Sequence, residues 1–418
     1  MLKSARIMKI SHLSLTNFRN FGRLELKLKN GVTLLHGDNA QGKTNFLEAI
    51  YYLATTRSPH TNQDSQLINW DADQYGGLVL VGRIVAHVET NDGLRHLEVR
   101  LIRERNSFRR EALVDRRKVR LMDLLGNVRV VLFLPEDMNL VTGPPSDRRR
   151  YLNITLCQVD RVYCRTLSQY NKVLEQRNAL LRQLNEQGKR QPNNEVLSIF
   201  SEQLVTLGSQ IFARRALFLT ELARQVQRVH YESLTAGQET LRLTYLPRLL
   251  RVSADQGRNQ LKAEAKWLAA HATDLEAVEA RFRDHLNNVH AHDLARGATS
   301  LGPHRDDWRF TINGRSLNHY GSRGQQRSAV LALKMGEIQW ISAETGDTPL
   351  LLLDDVMAEL DAHRRALLLK ALDTINQTIM TSADPSIFES AFTRTAATYA
   401  VSKGHVVRSD LSAENVQE

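Results

Sequence analysis

Gly37-Asp38-Asn39-Ala40-Gln41-Gly42-Lys43-Thr44 lies between an apolar stretch, Val32-Thr33-Leu34-Leu35, and the residues Phe46, Leu47, Ile50, Tyr51 and Leu53, whose spacing is helical. The octapeptide fits G-x-x-x-x-G-K-[ST]. A chance match somewhere in a chain of this length is on the order of one or two in a hundred, and the strand before and helix after are the setting the pattern requires. Gly37 and Gly42 let the backbone turn and bring its N–H groups close to phosphate oxygens. Asp38, Asn39, Ala40 and Gln41 supply the intervening loop, and the helix N-terminus adds a partial positive charge. Lys43 neutralises β- and γ-phosphates, and the Thr44 hydroxyl can ligate Mg²⁺. The implied cofactors are ATP and Mg²⁺.

Such a loop needs a metal-positioning acid on a neighbouring strand. Leu350-Leu351-Leu352-Leu353-Asp354-Asp355 reads as a buried parallel strand ending in two carboxylates, the end at which open α/β sheets bind ligands. Asp354 is the expected Mg²⁺ holder, through water, and Asp355 the residue that polarises the attacking water, with Lys43 as its catalytic partner. A competing reading makes Asp355 a helix cap. Lys43 and Asp354 are 311 residues apart, so the chain leaves the sheet and returns. A third element precedes the acidic strand: Ser322-Arg323-Gly324-Gln325 followed by Val330, Leu331, Leu333, Met335 and Ile338 at helical spacing. Ser322, Gly324 and Gln325 match the signature turn of ATP-binding-cassette ATPases, where such a turn holds the γ-phosphate of ATP bound by another subunit.

The chain has 418 residues, 42% hydrophobic and 24% charged, an ordinary globular balance. That argues against disorder and fibres, and the length predicts two or three domains. The longest leucine run, Leu350 to Leu353, is far short of the roughly 20 apolar residues of a membrane span. No secretory signal is expected, nor a membrane association. Cys157 and Cys164 form no Cys-x-x-Cys pair and suggest packing thiols in a reducing, cytoplasmic setting. The net charge is +10, with a pI near 9.7, which favours a polyanion partner.

Leu24, Leu26 and Leu28 alternate with charges as a strand does, and Asn30-Gly31 reads as a hairpin turn into the next strand. Residues 78 to 120 read as β-rich, from Leu78-Val79-Leu80-Val81 through Leu97 to Ile102. From Arg100 to Arg120 nine basic residues stand against Glu104, Glu111 and Asp115. This is either a solvated strand face or a phosphate-backbone contact surface. Leu167, Leu174 and Leu181, then Leu197, Leu204, Ile211 and Phe218, recur every seven residues on either side of a loop, 185–194. They predict an antiparallel helical hairpin whose second helix runs about 34 residues. His285, His290, His292 and His304 fit no zinc spacing. The expected architecture is α/β: an ATPase head of the ATP-binding-cassette type, with a P-loop mixed sheet flanked by helices. Residues 1–145 and 299–418 form the head, and 146–298 an inserted helical lobe carrying the short hairpin.

These stretches resemble the RecF family of bacterial gap-repair proteins, relatives of the structural-maintenance-of-chromosomes ATPases. The likeness rests on Asn17-Phe18-Arg19-Asn20-Phe21, the loop with Asn45 to Ile50, Pro135-Glu136-Asp137, Arg148-Arg149-Arg150-Tyr151-Leu152, Gln176 to Leu181, Gly302-Pro303-His304-Arg305-Asp306-Asp307, Ser322 to Arg327 and Leu352 to Asp355. It spans about residues 8 to 384. It implies an ATP-dependent homodimer that binds double-stranded, gapped or single-stranded DNA in repair and replication. Weak hydrolysis serves as a switch, and RecO, RecR and the recombinase RecA are the implied partners. Asp361 matches the loop that crosses the dimer axis. The seven residues before Met8 stand outside the likeness, Ala358 replaces a usual Ser, and Met380-Thr381-Ser382-Ala383 has no switch histidine. Gln63 and Gln66 both remain candidates for the γ-phosphate-sensing glutamine, and Arg100–Arg120 and Arg148–Arg150 for the DNA contact. Two other classes compete. A transporter ATPase subunit is disfavoured by the 279 residues from Lys43 to Ser322, and a passive DNA-binding protein by the intact Lys43, Thr44, Asp354 and Asp355.

Overall fold

The computed structural model describes residues 8–72, 79–90, 93–105, 107–187, 195–251 and 257–411. The residues before Met8, Leu78 and most of the expected 185–194 loop lie outside them. The chain divides into two compact units: Met1–Asp137 with Glu337–Glu418, and Met138–Gly336. Sequence spacing placed the inserted lobe at 146–298. The second unit is longer at both ends and includes the signature turn.

The first unit holds two six-stranded sheets. One is parallel across Ala397–Ser402, Gly31–His36, Gln377–Ser382, Leu350–Asp354 and Val130–Phe133, with His405–Arg408 antiparallel at one edge. The other is antiparallel throughout, in the order Phe21–Lys27, Lys9–Phe18, Val79–Thr90, Gly93–Glu104, Ser107–Val114 and Arg117–Val119. The helix Lys43–Thr55 buries Phe46, Leu47, Ile50 and Leu53 in one core with Leu15, Ile84 and Val99 of the antiparallel sheet and Leu350, Leu352 and Ile379 of the parallel one. Each such side chain contributes about 1.5–3 kcal/mol on leaving water. The Gln377 carboxamide ties the sheets together. Its Oε1 accepts from Ile10 N–H at 2.8 Å, and its Nε2 donates to Ile10 O at 2.9 Å and Lys29 O at 3.1 Å. Ile10 sits where the first strand shifts register, so the amide satisfies backbone groups that the ladder leaves open.

Asn30-Gly31 is not a hairpin turn. Phe21–Lys27 pairs only within the antiparallel sheet, whereas Gly31–His36 is hydrogen-bonded on both sides by parallel neighbours. The dipeptide carries the chain from one sheet to the other, with Gly31 at φ 82° donating to Asn376 O. The real hairpin turns at Arg19-Asn20, between Phe18 and Phe21, with Arg19 at φ 51°.

In the second unit Arg161–Glu186 and Glu195–Arg228 form the expected helical hairpin, the second helix 34 residues long. Leu197, Leu204, Ile211 and Phe218 are fully buried. On the first helix the buried row is Tyr163, Thr166, Tyr170, Val173, Arg177, Leu181 and Leu184, with Leu167 and Leu174 half-buried one position away. The polar members of that row hide it from a search for leucines. Glu195–Leu234 is long and apolar enough, by length and composition, to cross a membrane. Its apolar side chains pack against Arg161–Glu186, Gly257–His271 and Leu275–Asn288. A small sheet of Leu241–Leu246, Asp307–Ile312 and Arg315–Ser316 completes the unit.

Buried ion pairs organise this unit. Arg215, 1% exposed, donates to Asp306 Oδ2 at 2.8 Å, Pro303 O at 2.6 Å, the Tyr163 hydroxyl at 3.0 Å and Asn153 Oδ1 at 2.8 Å. Asp306 also accepts from the Tyr245 hydroxyl and from Arg248 N–H. Arg148 forks onto Asp307, and Arg177 pairs with Asp293 and Thr299. Burial pushes the Asp306 carboxyl up, against the opposing pull of Arg215 and Tyr245. His304 bonds the Tyr170 hydroxyl through Nδ1 at 2.7 Å, and burial lowers its pKa to about 3, so it stays neutral. A Cβ on Gly302 would sit 2.3 Å from that hydroxyl. The Gly302-to-Asp307 stretch is therefore a structural clasp.

Removing one member of a buried pair strands the other's charge. Arg215→Met is expected to lower the stability of the second unit by about 3–5 kcal/mol in urea unfolding. Arg283→Ala, which loses the surface pairs with Glu202 and Glu279, is expected to change it by less than about 0.5 kcal/mol. Equal effects would show that the buried cluster does not organise the unit.

Candidate nucleotide site

The loop begins where the central parallel strand Gly31–His36 ends. Three of its residues have positive φ: Gly37 at 135°, Ala40 at 63° and Gly42 at 116°. A Cβ on Gly37 would meet Val401 O at 2.5 Å, and one on Gly42 would meet the Asn20 side chain at 2.5 Å, so both positions require glycine. Asn20 props the loop from the true hairpin turn. Its Nδ2 donates to Gln41 O at 2.8 Å, and its Oδ1 accepts from Asn45 at 2.8 Å. Gln41 is held from another side by Lys403 N–H at 2.8 Å and Gly404 N–H at 3.1 Å. Next to Asn20, Arg19 forks onto the buried Glu48 of the loop's helix at 2.7 and 2.8 Å. The Asn17-to-Phe21 motif thus buttresses the loop, a role that only its placement reveals.

Lys43 folds back to donate to Gly37 O at 2.6 Å and Asp38 O at 2.8 Å. Burial lowers its pKa, while Asp355, Asp354 and Asp38 oppose the shift. The acidic strand Leu350–Asp354 lies one strand away from the loop's strand, with Gln377–Ser382 between them. Thr44 Oγ1 donates to Asp354 Oδ1 at 3.1 Å, and Thr381 Oγ1 donates to the same oxygen at 2.7 Å. Burial pushes the Asp354 carboxyl up, and Thr381, Thr44 and His60 counter it. Asp355 has φ 51°; its N–H donates to Thr381 Oγ1 at 2.9 Å, and its Oδ1 accepts from Ala383 N–H at 3.3 Å. Thr381, noted in the sequence only for the missing histidine, holds both aspartates.

A cavity of about 400 Å³ lies over the loop. Lys43, Thr44, Asp354, Asp355, His60 and Glu136 are among the residues around it. Thr44 and Asp354 present hard oxygen donors side by side, a pair suited to Mg²⁺ with its remaining positions filled by water and phosphate. The loop's turned backbone and Lys43 suit the phosphates of a nucleoside triphosphate. Among the described residues no group of three or more His, Cys, Asp or Glu could hold a metal by itself. Gln63 and Gln66 do not line the cavity: Gln66 Nε2 donates to Gln63 Oε1 at 2.9 Å, and its own Oε1 accepts from Thr61.

The signature residues lie in the second unit. Ser322 Oγ accepts from Gln325 N–H at 3.2 Å, and Ser322 N–H donates to Gln325 Oε1 at 2.9 Å, a reciprocal cap at the start of the helix Arg323–Thr345. Gln325 Nε2 also donates to Glu239 at 2.7 Å, and Gly324 lies within the capped turn. Asp361 caps the helix Ala362–Leu372 through Arg364 N–H at 2.9 Å.

Of the two basic stretches, Arg148 is a core ion-pair residue, and Arg149 donates to Asp306 O at 2.8 Å. In the Arg100–Arg120 stretch, Arg100 pairs with Glu98, Arg109 with Glu104, Arg110 with Asp64 and Lys118 with Glu111. These four of the run's nine cations are thus paired, with Glu104 and Glu111 of the run itself, with Glu98 on the same strand as Arg100 and with Asp64 of the turn Asp64–Leu67. Cys157 and Cys164 form no disulfide and are both half-buried.

The chain matches the RecF/RecN/SMC N terminal domain family over residues 9–407. It is 42% identical over 410 residues to the DNA replication and repair protein RecF of Chloroflexus aurantiacus, covering 96% of this chain and 99% of that one. The RecF of Roseiflexus castenholzii is 39% identical over 412 residues, with the same coverage. Among solved structures, the recombination mediator protein RecF with ATP, of the RecFOR pathway, has a TM-score of 0.80 at 30% identity, over 96% of this chain and 98% of that one. The Smc head domain of Pyrococcus furiosus, at TM-score 0.50 and 14% identity over 98% of each chain, shares the ATPase-head fold. The chain belongs to the RecF family, within the wider RecF/RecN/SMC group.

Proposed function

We infer that this chain is an ATP-dependent DNA-binding protein of recombinational repair and replication. ATP sits over Gly37 to Thr44, with Lys43 on its β- and γ-phosphates and Mg²⁺ between Thr44 and Asp354. Asp355 polarises water for a slow hydrolysis that resets the switch. Ser322, Gly324 and Gln325 take the γ-phosphate of ATP held by a second copy, so that nucleotide joins two chains and assembles a DNA-binding surface for double-stranded and gapped or single-stranded DNA. RecO and RecR, and through them RecA, are the partners in a cytoplasmic setting.

The observation that carries this reading is the meeting of Thr44 and Asp354 on one cavity wall, 310 residues apart in sequence and 3.1 Å apart in space. Its relatives carry the DNA-repair part: solved RecF structures of the RecFOR pathway and curated RecF replication and repair proteins align over nearly the whole chain. The net charge of +10 supports a polyanion partner.

Lys43→Met is expected to abolish ATP binding and, with it, ATP-dependent retention of DNA in a filter or mobility assay. Retention that still responds to ATP would remove the loop from the mechanism. Ser322→Arg is expected to leave ATP binding within about twofold of the native value, since Ser322 bonds within its own helix cap, while blocking ATP-dependent dimerisation in sedimentation. A variant that still dimerises with ATP would reject the shared site.

A further inference from the structure

We propose that His60 is the residue that reads the terminal phosphate of the bound nucleotide, a role for which the family resemblance left Gln63 and Gln66 as candidates. The inference deepens the ATP-binding reading above and rests on it.

The segment carrying His60 is anchored to the loop's own helix. Ser58, 1% exposed, donates its hydroxyl to Glu48 at 2.5 Å and accepts from the N–H groups of His60 and Thr61, each at 3.0 Å. Glu48, also 1% exposed, is fixed in turn by the Arg19 fork. Every link is short, and the two central members are buried, so the backbone that carries His60 is pinned to the first helical turns beyond Lys43. His60 lines the cavity with Lys43, Thr44, Asp354, Asp355 and Glu136. Of these, Thr44 and Asp354 mark the metal end, and in such sites the metal bridges β- and γ-oxygens. His60 lines the same cavity as that metal end. The two glutamines, bonded to each other and to Thr61, are drawn away from the cavity wall.

An imidazole N–H at that end can donate to a γ-phosphate oxygen or to a metal-bound water beside it. A diphosphate ends short of this reach. His60 therefore adds affinity for the triphosphate and none for the diphosphate, acting as a positioning residue for the γ-phosphate.

The test is equilibrium binding of ATPγS and of ADP, each with Mg²⁺, to the native chain, His60→Ala and Lys43→Met. The expected result is that His60→Ala weakens ATPγS binding about tenfold, the scale of one hydrogen bond to a charged group, while ADP binding stays within about twofold. An equal loss for both nucleotides, or a loss for neither, overturns the assignment. Failure of the underlying reading looks different: Lys43→Met would then bind both nucleotides as the native chain does.

Discussion

Two threonines donate to one oxygen of Asp354. Thr44 comes from the helix that closes the phosphate loop, Thr381 from the strand between that loop and the acidic strand. Parallel neighbours cannot be joined by tight turns, so three adjacent parallel strands in one sheet require long excursions between them. Between Gly31–His36 and Leu350–Asp354 the excursion takes in four strands of the antiparallel sheet and the second unit, and between Leu350–Asp354 and Gln377–Ser382 it is the helices Val356–Glu359 and Ala362–Leu372. The position of Asp354 beside Thr44 therefore depends on the sheet order Gly31–His36, Gln377–Ser382, Leu350–Asp354, and that order rests on four leucines buried on both faces.

Strongly local features were legible in the sequence. The glycine loop showed itself because only glycine tolerates φ of 135° or 116° with a carbonyl or an amide 2.5 Å from where a Cβ would lie. The leucine strand ending in Asp354 and Asp355 showed itself because a strand covered on both faces loses its polar alternation. The helical hairpin followed from the seven-residue recurrence of Leu197, Leu204, Ile211 and Phe218. Features set by distant partners were not legible. Asn30-Gly31 has hairpin chemistry, but strand alternation does not say with which sheet a strand pairs. Thr381 and His60 are ordinary residues until the fold brings the first to Asp354 and the second to the cavity wall. Arg215 reads as one more surface charge on a long helix, and only Asp306, 91 residues on, makes it a core residue.

The motifs behind the family likeness divide by physical role. The loop, the acidic pair and Ser322 to Gln325 carry chemistry suited to phosphate. Asn17 to Phe21 and Gly302 to Asp307 carry none. The first buttresses the loop through Asn20 and Arg19, and the second joins the Arg148 and Arg215 clusters to a neutral His304. The Arg100–Arg120 stretch is likewise tempered by Glu98, Glu104, Asp64 and Glu111. Density of one charge in sequence is thus a poor guide to the field at the surface when carboxylates of the run itself, of the same strand and of a distant turn pair with it.

The proposed function makes the meeting of Thr44 and Asp354 a metal site for nucleotide. Its most direct test is calorimetric titration of ATP into the native chain and into Asp354→Asn, with and without Mg²⁺. Mg²⁺ is expected to tighten ATP binding to the native chain by tenfold or more and to leave Asp354→Asn nearly unchanged, about a 1.4 kcal/mol difference per factor of ten. An equal Mg²⁺ effect in both proteins would contradict the assignment.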